Sequence, residues 1–427
     1  MSDIFRKAVI AKLPKLPPTR APWAEPMDDD DDDEIDYLGE LDDALPPLST
    51  KTYQNLTPLS AKDFFSQALE VTPGKTTFRV YLTPPVLTPE TSSTPLEQVA
   101  TTSNPDSSRG GRSGGENPLS GKGRLEKQVT EGDTDNKGTY LICHHGAGSS
   151  GLSFAMLAKE VKERGKGELG VMSFDCRGHG KTRTDPVDEE HDLSTSTLLS
   201  DFVSLIQHLF PNPIISPSLL LMGHSMGAAP ILASAPILQE KGYKVVGVIV
   251  LDVVEGTAVE ALPLMKGILS KRPQTFPSVI DAIHWHLVSN SIRNSTSARI
   301  SVPSYLIPLN PGEGQETKQK WRTDLISTEP FWSGWYENLS SKFLTSKCAR
   351  LLVLAGQERL DKQLMVGQMQ GKFQLEVMQD VGHYLHEDDP TKLANIILAF
   401  WKRNTRVIVL PGKIGSKLVG VRRVGEE

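Results

Sequence analysis

The 427-residue chain is 38% hydrophobic with a formal charge of −6, which is enough apolar material for one large folded domain or two ordinary ones. Six of its negative charges fall in the single run Asp28 to Asp33, so the remainder is balanced and offers no basic field for nucleic acid. Cys143, Cys176 and Cys348 lack the paired spacing of zinc ligands, the stretch Met1 to Lys7 has no apolar signal core, and no apolar run is long enough to cross a bilayer; a reducing compartment, cytosol or nucleus, is expected.

Residues 1–50, rich in Pro, Lys and Asp, carry too little apolar surface to offset ordering and are expected to form a disordered tail. Their Asp run is either solvated or a docking strip for a basic surface. The main domain should span 51–410, with a C-terminal tail over 411–427. Thr77 to Leu82 alternates and is rich in β-formers, which predicts an early strand. The Ser/Thr/Gly/Pro-rich stretch 84–138 reads as a disordered insertion hanging between two paired strands. Beyond it, short apolar runs alternate with helical patterns, as parallel βαβ units require. Strands are predicted over Thr139–Cys143, Gly170–Phe174, Ser218–Met222, Val245–Leu251 and Arg350–Ala355, all buried on both faces. The alternation lapses over 255–347 into helical pieces such as Ser278 to Val288, which predicts a helical cap inserted over a mostly parallel sheet of an α/β fold.

Leu219-Leu220-Leu221-Met222-Gly223-His224-Ser225-Met226-Gly227 is an apolar strand running into Gly-x-Ser-x-Gly and a small-residue helix start. So sharp a turn tolerates little side chain at the flanking glycines, exposes Ser225 in a strained pose, and aims the first helical N–H groups at a developing oxyanion. A hydroxyl needs a base, and the base an orienting group. His383, in the Gly-His turn of Asp380-Val381-Gly382-His383 before a final helix, is the candidate base, with His386 the nearby competitor. For the acid, Asp252 directly follows the strand ending at Leu251, whereas Glu358 and Asp361 follow the strand Leu351–Leu354, the more usual location; Asp252 is favoured because Arg359 occupies the usual acid's place. Met226 and Ala147, the latter in the turn His144-His145-Gly146-Ala147-Gly148, are the expected oxyanion donors. Asp175-Cys176-Arg177-Gly178-His179-Gly180 is expected to support loop architecture, with His179 outside the chemistry.

These segments resemble the protein phosphatase methylesterases, members of the α/β-hydrolase superfamily. The resemblance rests on Gly-His-Ser-Met-Gly at 223–227, Asp-Val-Val-Glu-Gly-Thr-Ala at 252–258, Ser-Ile-Arg-Asn-Ser-Thr-Ser-Ala-Arg at 291–299, Gly-Gln-Met-Gln-Gly-Lys-Phe-Gln at 367–374 and Gly-His-Tyr-Leu-His-Glu-Asp at 382–388. It spans roughly residues 140 to 403; the first motif is widely shared and the other four are particular. It implies a triad of Ser225, Asp252 and His383, no metal or organic cofactor, and removal of a methyl ester from the C-terminal leucine of the type 2A protein phosphatase catalytic subunit. It also implies that the partner remodels the site. Two departures add a methyl each: Ala228 and Ala147 stand where the family commonly has glycine. A methyl leaving group gives little to bind, so selectivity should come from the acyl side. Trp285, Phe276 and Arg293 of the cap are candidates for a groove, with core packing the alternative for the aromatics.

Overall fold

The structure, a computed structural model, describes residues 55–86, 138–309, 318–356 and 360–405. The expected tails over 1–50 and 411–427, nearly all of the 84–138 insertion, and Glu358 lie outside the described residues.

The apolar runs pair into one large sheet. Its strands are β1 (Gln67–Val71), β2 (Thr76–Thr83), β3 (Thr139–His144), β4 (Leu169–Phe174), β5 (Arg183–Thr184), β6 (Ser218–His224), β7 (Val245–Leu251), β11 (Ala349–Ala355) and β12 (Gln374–Met378). The order is β1-β2-β4-β3-β6-β7-β11-β12, with β5 on β2; from β4 to β12 all neighbours are parallel, while β1 and β2 run antiparallel. The expectation that the insertion joins two paired strands is corrected here: β2 and β3 each pair with β4, which lies between them. β2 runs opposite to β4 while β3 runs with it, so β2 and β3 are antiparallel strands held apart by β4.

Because successive side chains of a strand point to opposite faces, one apolar run feeds two cores. Leu219 and Leu221 of β6 face one layer, with Leu198, Phe202, Leu205 and Ile206 of α2 (Thr195–Leu209) and Ile231, Leu232 and Leu238 of α3 (Ala228–Glu240). Leu220 and Met222 face the other, with Leu157, Ala158 and Val161 of α1 (Ala155–Arg164) and Leu393, Ala394 and Ile397 of the final helix α11 (Pro390–Thr405). Each fully buried leucine contributes about 2 kcal/mol, which is why these runs tolerate no polar residue. No helix among the described residues is long and apolar enough to cross a membrane.

Between β7 and β11 lie α4 (Glu255–Ser270), α5 (Val279–Val288), α6 (Ser295–Ser301), α7 (Trp332–Tyr336) and α8 (Leu339–Thr345). The cap is not wholly helical: β8 (Thr275–Phe276), β10 (Gln319–Trp321) and β9 (Leu306–Pro308) form a small antiparallel sheet. The cap has its own core around Phe276, Ile283, Ile292, Val302 and Tyr305. It is pinned to the body by Trp335 Nε1 donating to Leu193 O (2.8 Å), Thr195 Oγ1 to Gly334 O (2.8 Å) and Thr323 Oγ1 to Gly178 O (2.7 Å). After β11 come α9 (Lys362–Met369) and, past β12, the short α10 (Leu385–Asp388).

The chain passes from β3 to β4 on one side and then to β6 on the other, so the strand order reverses between β3 and β6. Carboxyl ends of strands at such a reversal diverge and leave a crevice where ligands bind in open α/β sheets.

Candidate active site

Ser225 sits at that crevice, where β6 ends and α3 begins. Its φ is +51°, a left-handed backbone held by surrounding packing. A Cβ on Gly223 would stand 2.4 Å from Gly227 O, and one on Gly227 would stand 2.5 Å from His144 O. Both positions are therefore closed to any side chain, and the elbow is locked against the end of β3.

The next strand over delivers the acid. Asp252 follows β7 with φ +52°, its N–H donating to Val353 O (2.8 Å) and its Oδ1 accepting the Ala355 N–H (2.7 Å). Its Oδ2 lies 2.6 Å from Nδ1 of His383, which hangs on the loop between β12 and α10. A carboxylate can only accept, so Nδ1 carries the hydrogen and Nε2 is left as the basic nitrogen. The histidine loop is held in turn: His224 Nε2 meets His383 O at 2.9 Å, with the two rings 4.6 Å apart, and Asp388 Oδ2 accepts the Gly382 N–H (2.6 Å).

Among the described residues no hydrogen bond joins Ser225 Oγ to His383. Tyr336, a buried cap residue whose pKa is raised to about 12 by burial, has Ser225 as a polar neighbour. Base and acid are thus paired, and the nucleophile ends the neighbouring strand with the cap phenol of Tyr336 near it.

The oxyanion turn follows β3. Gly146 packs on the elbow so closely that a Cβ there would meet His224 Nδ1 at 2.8 Å and Ser225 Cβ at 3.2 Å. Gly148 N–H donates to His179 Nε2 (2.9 Å) and Ser149 N–H to Gly146 O (3.2 Å), while Ala147 N–H, the expected donor, has no bond among the described residues. Met226, fully buried at the first position after the nucleophile, has the other.

Buried behind this turn, ligand atoms of His145, Cys176 and His179 lie within 4.8 Å of one another, a spacing open to a metal ion. Their hydrogen bonds point to another use. His145 Nδ1 meets Gly146 O (2.8 Å) and His179 Nδ1 meets Arg177 O (2.7 Å), so both carry hydrogen at Nδ1, and both Nε2 atoms accept backbone N–H groups, of Cys176 (2.9 Å) and Gly148 (2.9 Å). Burial pushes His179 down to about 4 and His145 well below the usual histidine range, so both stay neutral. They are braces of the oxyanion turn, with no acceptor nitrogen spare. Asp175 extends the brace, its Oδ1 accepting Gly151 N–H (2.8 Å) and its Oδ2 Lys181 N–H (2.9 Å). Sequence reasoning placed this motif in support of a loop; the reach of His179 to Gly148 is tertiary and has no local signature.

The competing residues take other roles. His386 is wholly buried, stacked on Phe154 at 4.6 Å, with neither ring nitrogen hydrogen-bonded. Asp361 caps α9, Oδ1 accepting Leu364 N–H (2.9 Å) and Oδ2 the Ser340 hydroxyl (2.5 Å). Of the three groove candidates, Phe276 is fully buried and cannot line a groove; it packs against Trp285 and Trp321 in the cap core. Half-buried Trp285 belongs to the same aromatic cluster. Arg293 lies beside the histidine loop, its N–H donating to Asp388 Oδ1 (2.7 Å). The cap aromatic that does border open space is Trp321.

Residues 141–396 match the Alpha/beta hydrolase family. A Cryptococcus neoformans protein named Protein phosphatase methylesterase 1 is 56% identical over 435 residues, covering 99% of this chain and 97% of its own. An Aspergillus fumigatus protein of the same name is 37% identical over 439 residues, covering 97% and 92%. Among solved structures, E-2-(acetamidomethylene)succinate hydrolase shares the fold at a TM-score of 0.53 and 15% identity, over 79% of this chain and 99% of that one.

Proposed function

The chain belongs to the alpha/beta hydrolase family and within it to the protein phosphatase methylesterases, carboxylic ester hydrolases, and from that premise we propose that it demethylates the C-terminal leucine ester of the type 2A protein phosphatase catalytic subunit by an acyl-enzyme on Ser225. The observation that carries the chemistry is the 2.6 Å pair of Asp252 and His383 beside a serine held at φ +51°.

Ser225 Oγ attacks the ester carbonyl as its proton passes to His383 Nε2, and the new C–O⁻ is received by the N–H groups of Ala147 and Met226. Collapse expels methanol, which takes the proton from His383. Water then gives its proton to Nε2, its oxygen attacks the acyl carbon, and Ser225 leaves as the hydroxyl, releasing the carboxylate. Asp252 keeps Nδ1–H oriented throughout and stabilises the imidazolium. Bringing the Ser225 hydroxyl onto His383 is a side-chain movement, the scale of change that a partner docking on the cap can supply.

The test is incubation with carboxymethylated phosphatase catalytic subunit, reading methyl loss from its C-terminus with and without a serine-directed covalent inhibitor. Wild-type protein should release the methyl group, and the inhibitor or Ser225→Ala should reduce the rate at least about 10⁴-fold. Demethylation that survives the Ser225→Ala substitution rules the mechanism out. Rapid cleavage of small activated esters with none of the methylated phosphatase would instead make it a general ester hydrolase.

A further inference from the structure

On the far side of the oxyanion turn the cap and body enclose an open-sided cavity of about 350 Å³, at the low end of the roughly 300–1,000 Å³ typical of small-ligand sites. Its wall includes Gly178, Arg272, Trp321, Arg322 and Leu325. It adjoins the reacting centre: Leu325 lies against Gly148, where an added Cβ would meet it at 2.8 Å, and Gly178 precedes the histidine that holds Gly148 N–H. Arg272 is close enough for its charge to act on Tyr384, the neighbour of His383.

Two arginines of this wall are treated differently. Arg322 is paired, its Nη2 donating to Glu190 Oε1 (2.8 Å) and Thr182 O (3.1 Å) and its Nε to Gly180 O (3.3 Å). Arg272 has its guanidinium carbon 3.8 Å above the Trp321 ring and 5.9 Å from that of Trp285, yet among the described residues it has no ion pair or side-chain hydrogen bond. Asp324 on the same wall accepts the N–H groups of Ile326 (3.1 Å) and Ser327 (3.4 Å) at Oδ1 and forms no ion pair with Arg272 among the described residues. Burial brings the Arg272 pKa down to about 10, and it remains a cation at neutral pH. Stacking uses the face of the guanidinium and leaves its in-plane N–H fork, whose geometry matches a carboxylate. Arg272 is half-buried at the wall of an open-sided cavity, so an entering anion exchanges water on the fork for a charge-assisted pair.

We propose that Arg272, held flat on Trp321, is the subsite for an acidic side chain of the peptide whose C-terminal ester is cut. This rests on the esterase reading above and adds the substrate's required charge. The cavity borders Gly148 of the oxyanion turn through Leu325 and is not lined by Ser225 or His383, so a substrate group that enters it belongs to a residue some way before the ester, which a peptide supplies.

Short peptides with a C-terminal methyl ester test it, with glutamine at each of the four positions before the last residue replaced in turn by glutamate. Binding is measured to the Ser225→Ala protein and to the same protein carrying Arg272→Gln or Arg272→Lys. One glutamate peptide should bind about tenfold tighter than its glutamine twin, an advantage expected of a charge-assisted pair. Arg272→Gln should abolish the advantage and Arg272→Lys should keep part of it. Each readout is a ratio within one protein, so a general loss of affinity cancels, and salt should erode the ratio in the Arg272 parent even if a variant fails to fold. An equal ratio in the Arg272→Gln protein, or no preferred position in the parent, overturns the subsite. Ser225-dependent hydrolysis of all the peptides alike would spare the esterase reading and remove the subsite; glutamate-selective binding without hydrolysis would do the reverse.

Discussion

The strand ends and the cap wall handle polar groups in opposite ways. At the strand ends the supporting groups are committed: Asp252 serves Ala355 N–H and His383, His224 holds His383 O, and His179 holds Gly148 N–H. On the cap wall the Arg272 guanidinium lies over Trp321 with no ion pair or side-chain hydrogen bond among the described residues, and the Tyr336 phenol is a polar neighbour of the nucleophile. The difference separates two tasks. Geometry that any ester needs is over-determined by the sheet, whereas selectivity, which must come from parts of the substrate remote from a methyl group, is left to donors that await a partner.

The sharpest way to break this division is to remove orientation while keeping shape. Asp252→Asn retains the volume, but an amide can offer NH₂ to Nδ1 and favour the wrong tautomer, so kcat should fall by about 10³- to 10⁴-fold with substrate affinity preserved. Single-turnover demethylation alongside equilibrium binding measures both. A fall in affinity of similar size would mean that the acid also shapes the cap-side site. Next in size is Gly223→Ala. Its new methyl would stand 2.4 Å from Gly227 O, backbone that has no room to move, and we expect about 3 kcal/mol or more of destabilisation by chemical denaturation. An ordinary small loss would show the elbow to be pliable.

How much of this was legible in the sequence follows from how local each cause is. The central strands were readable because an apolar run buried on both faces must be continuous, as in Val245–Leu251. β12, Gln-Leu-Glu-Val-Met, is an edge strand with exposed positions and yields no such run, and β8, β9 and β10 are two or three residues long, too short for any period. Ser225 and His383 stand out because each follows a recognisable strand or turn in the expected chain order, whereas Asp252 competes with Glu358 and Asp361 and is favoured only through Arg359 and the motif at 252–258. Asp361 carries the signature of a helix cap and does that work. The Trp321 platform under Arg272 and the His179 brace join residues far apart in sequence, and nothing around either one predicts its partner.

Glu387 links the two regions, and a smaller, pH-dependent effect should expose it. Its carboxyl is wholly buried between Ser301 Oγ (2.5 Å) and Tyr305 OH (3.0 Å), and Tyr305 OH also accepts from Ser149 of the oxyanion turn (3.2 Å). Burial raises its pKa to about 8, with Asp388 adding to the rise. The hydrogen count agrees: Ser301 has one hydroxyl hydrogen and sits 3.0 Å from Ser297 O as well, so both contacts are satisfied when the carboxyl carries the proton. Because the folded pKa lies above the ordinary value of 4.5, the folded state holds the extra proton between about 4.5 and 8. Its contribution is fully present below that window and is lost as pH rises through it, at no more than about 1.4 kcal/mol per pH unit. Glu387→Gln, which mimics the protonated form, should gain stability relative to wild type between pH 5 and 8.5 in denaturant titrations. Parallel profiles for the two proteins would mean that the buried carboxyl is already ionised at pH 5.

The smallest expected effect addresses the boundary between the regions, where the cap touches the chemistry. Ser225 has a single hydroxyl hydrogen and Tyr336 as a polar neighbour, so whenever that hydrogen goes to the phenol oxygen it is withheld from His383. Tyr336→Phe removes that acceptor and leaves the ring's packing against its neighbours in place, so the hydroxyl should turn to the imidazole more often. A hydrogen bond of ordinary net strength, about 1 kcal/mol, corresponds to roughly a fivefold gain in the rate of acylation by a serine-directed reagent. The gain should appear in the protein alone and shrink when the methylated phosphatase is bound, because the partner would then already have broken the Ser225–Tyr336 contact. A loss of rate in the Phe variant would reverse the assignment and make the phenol a donor to the reacting oxygen, which would bring the cap into the chemistry as well as the selectivity.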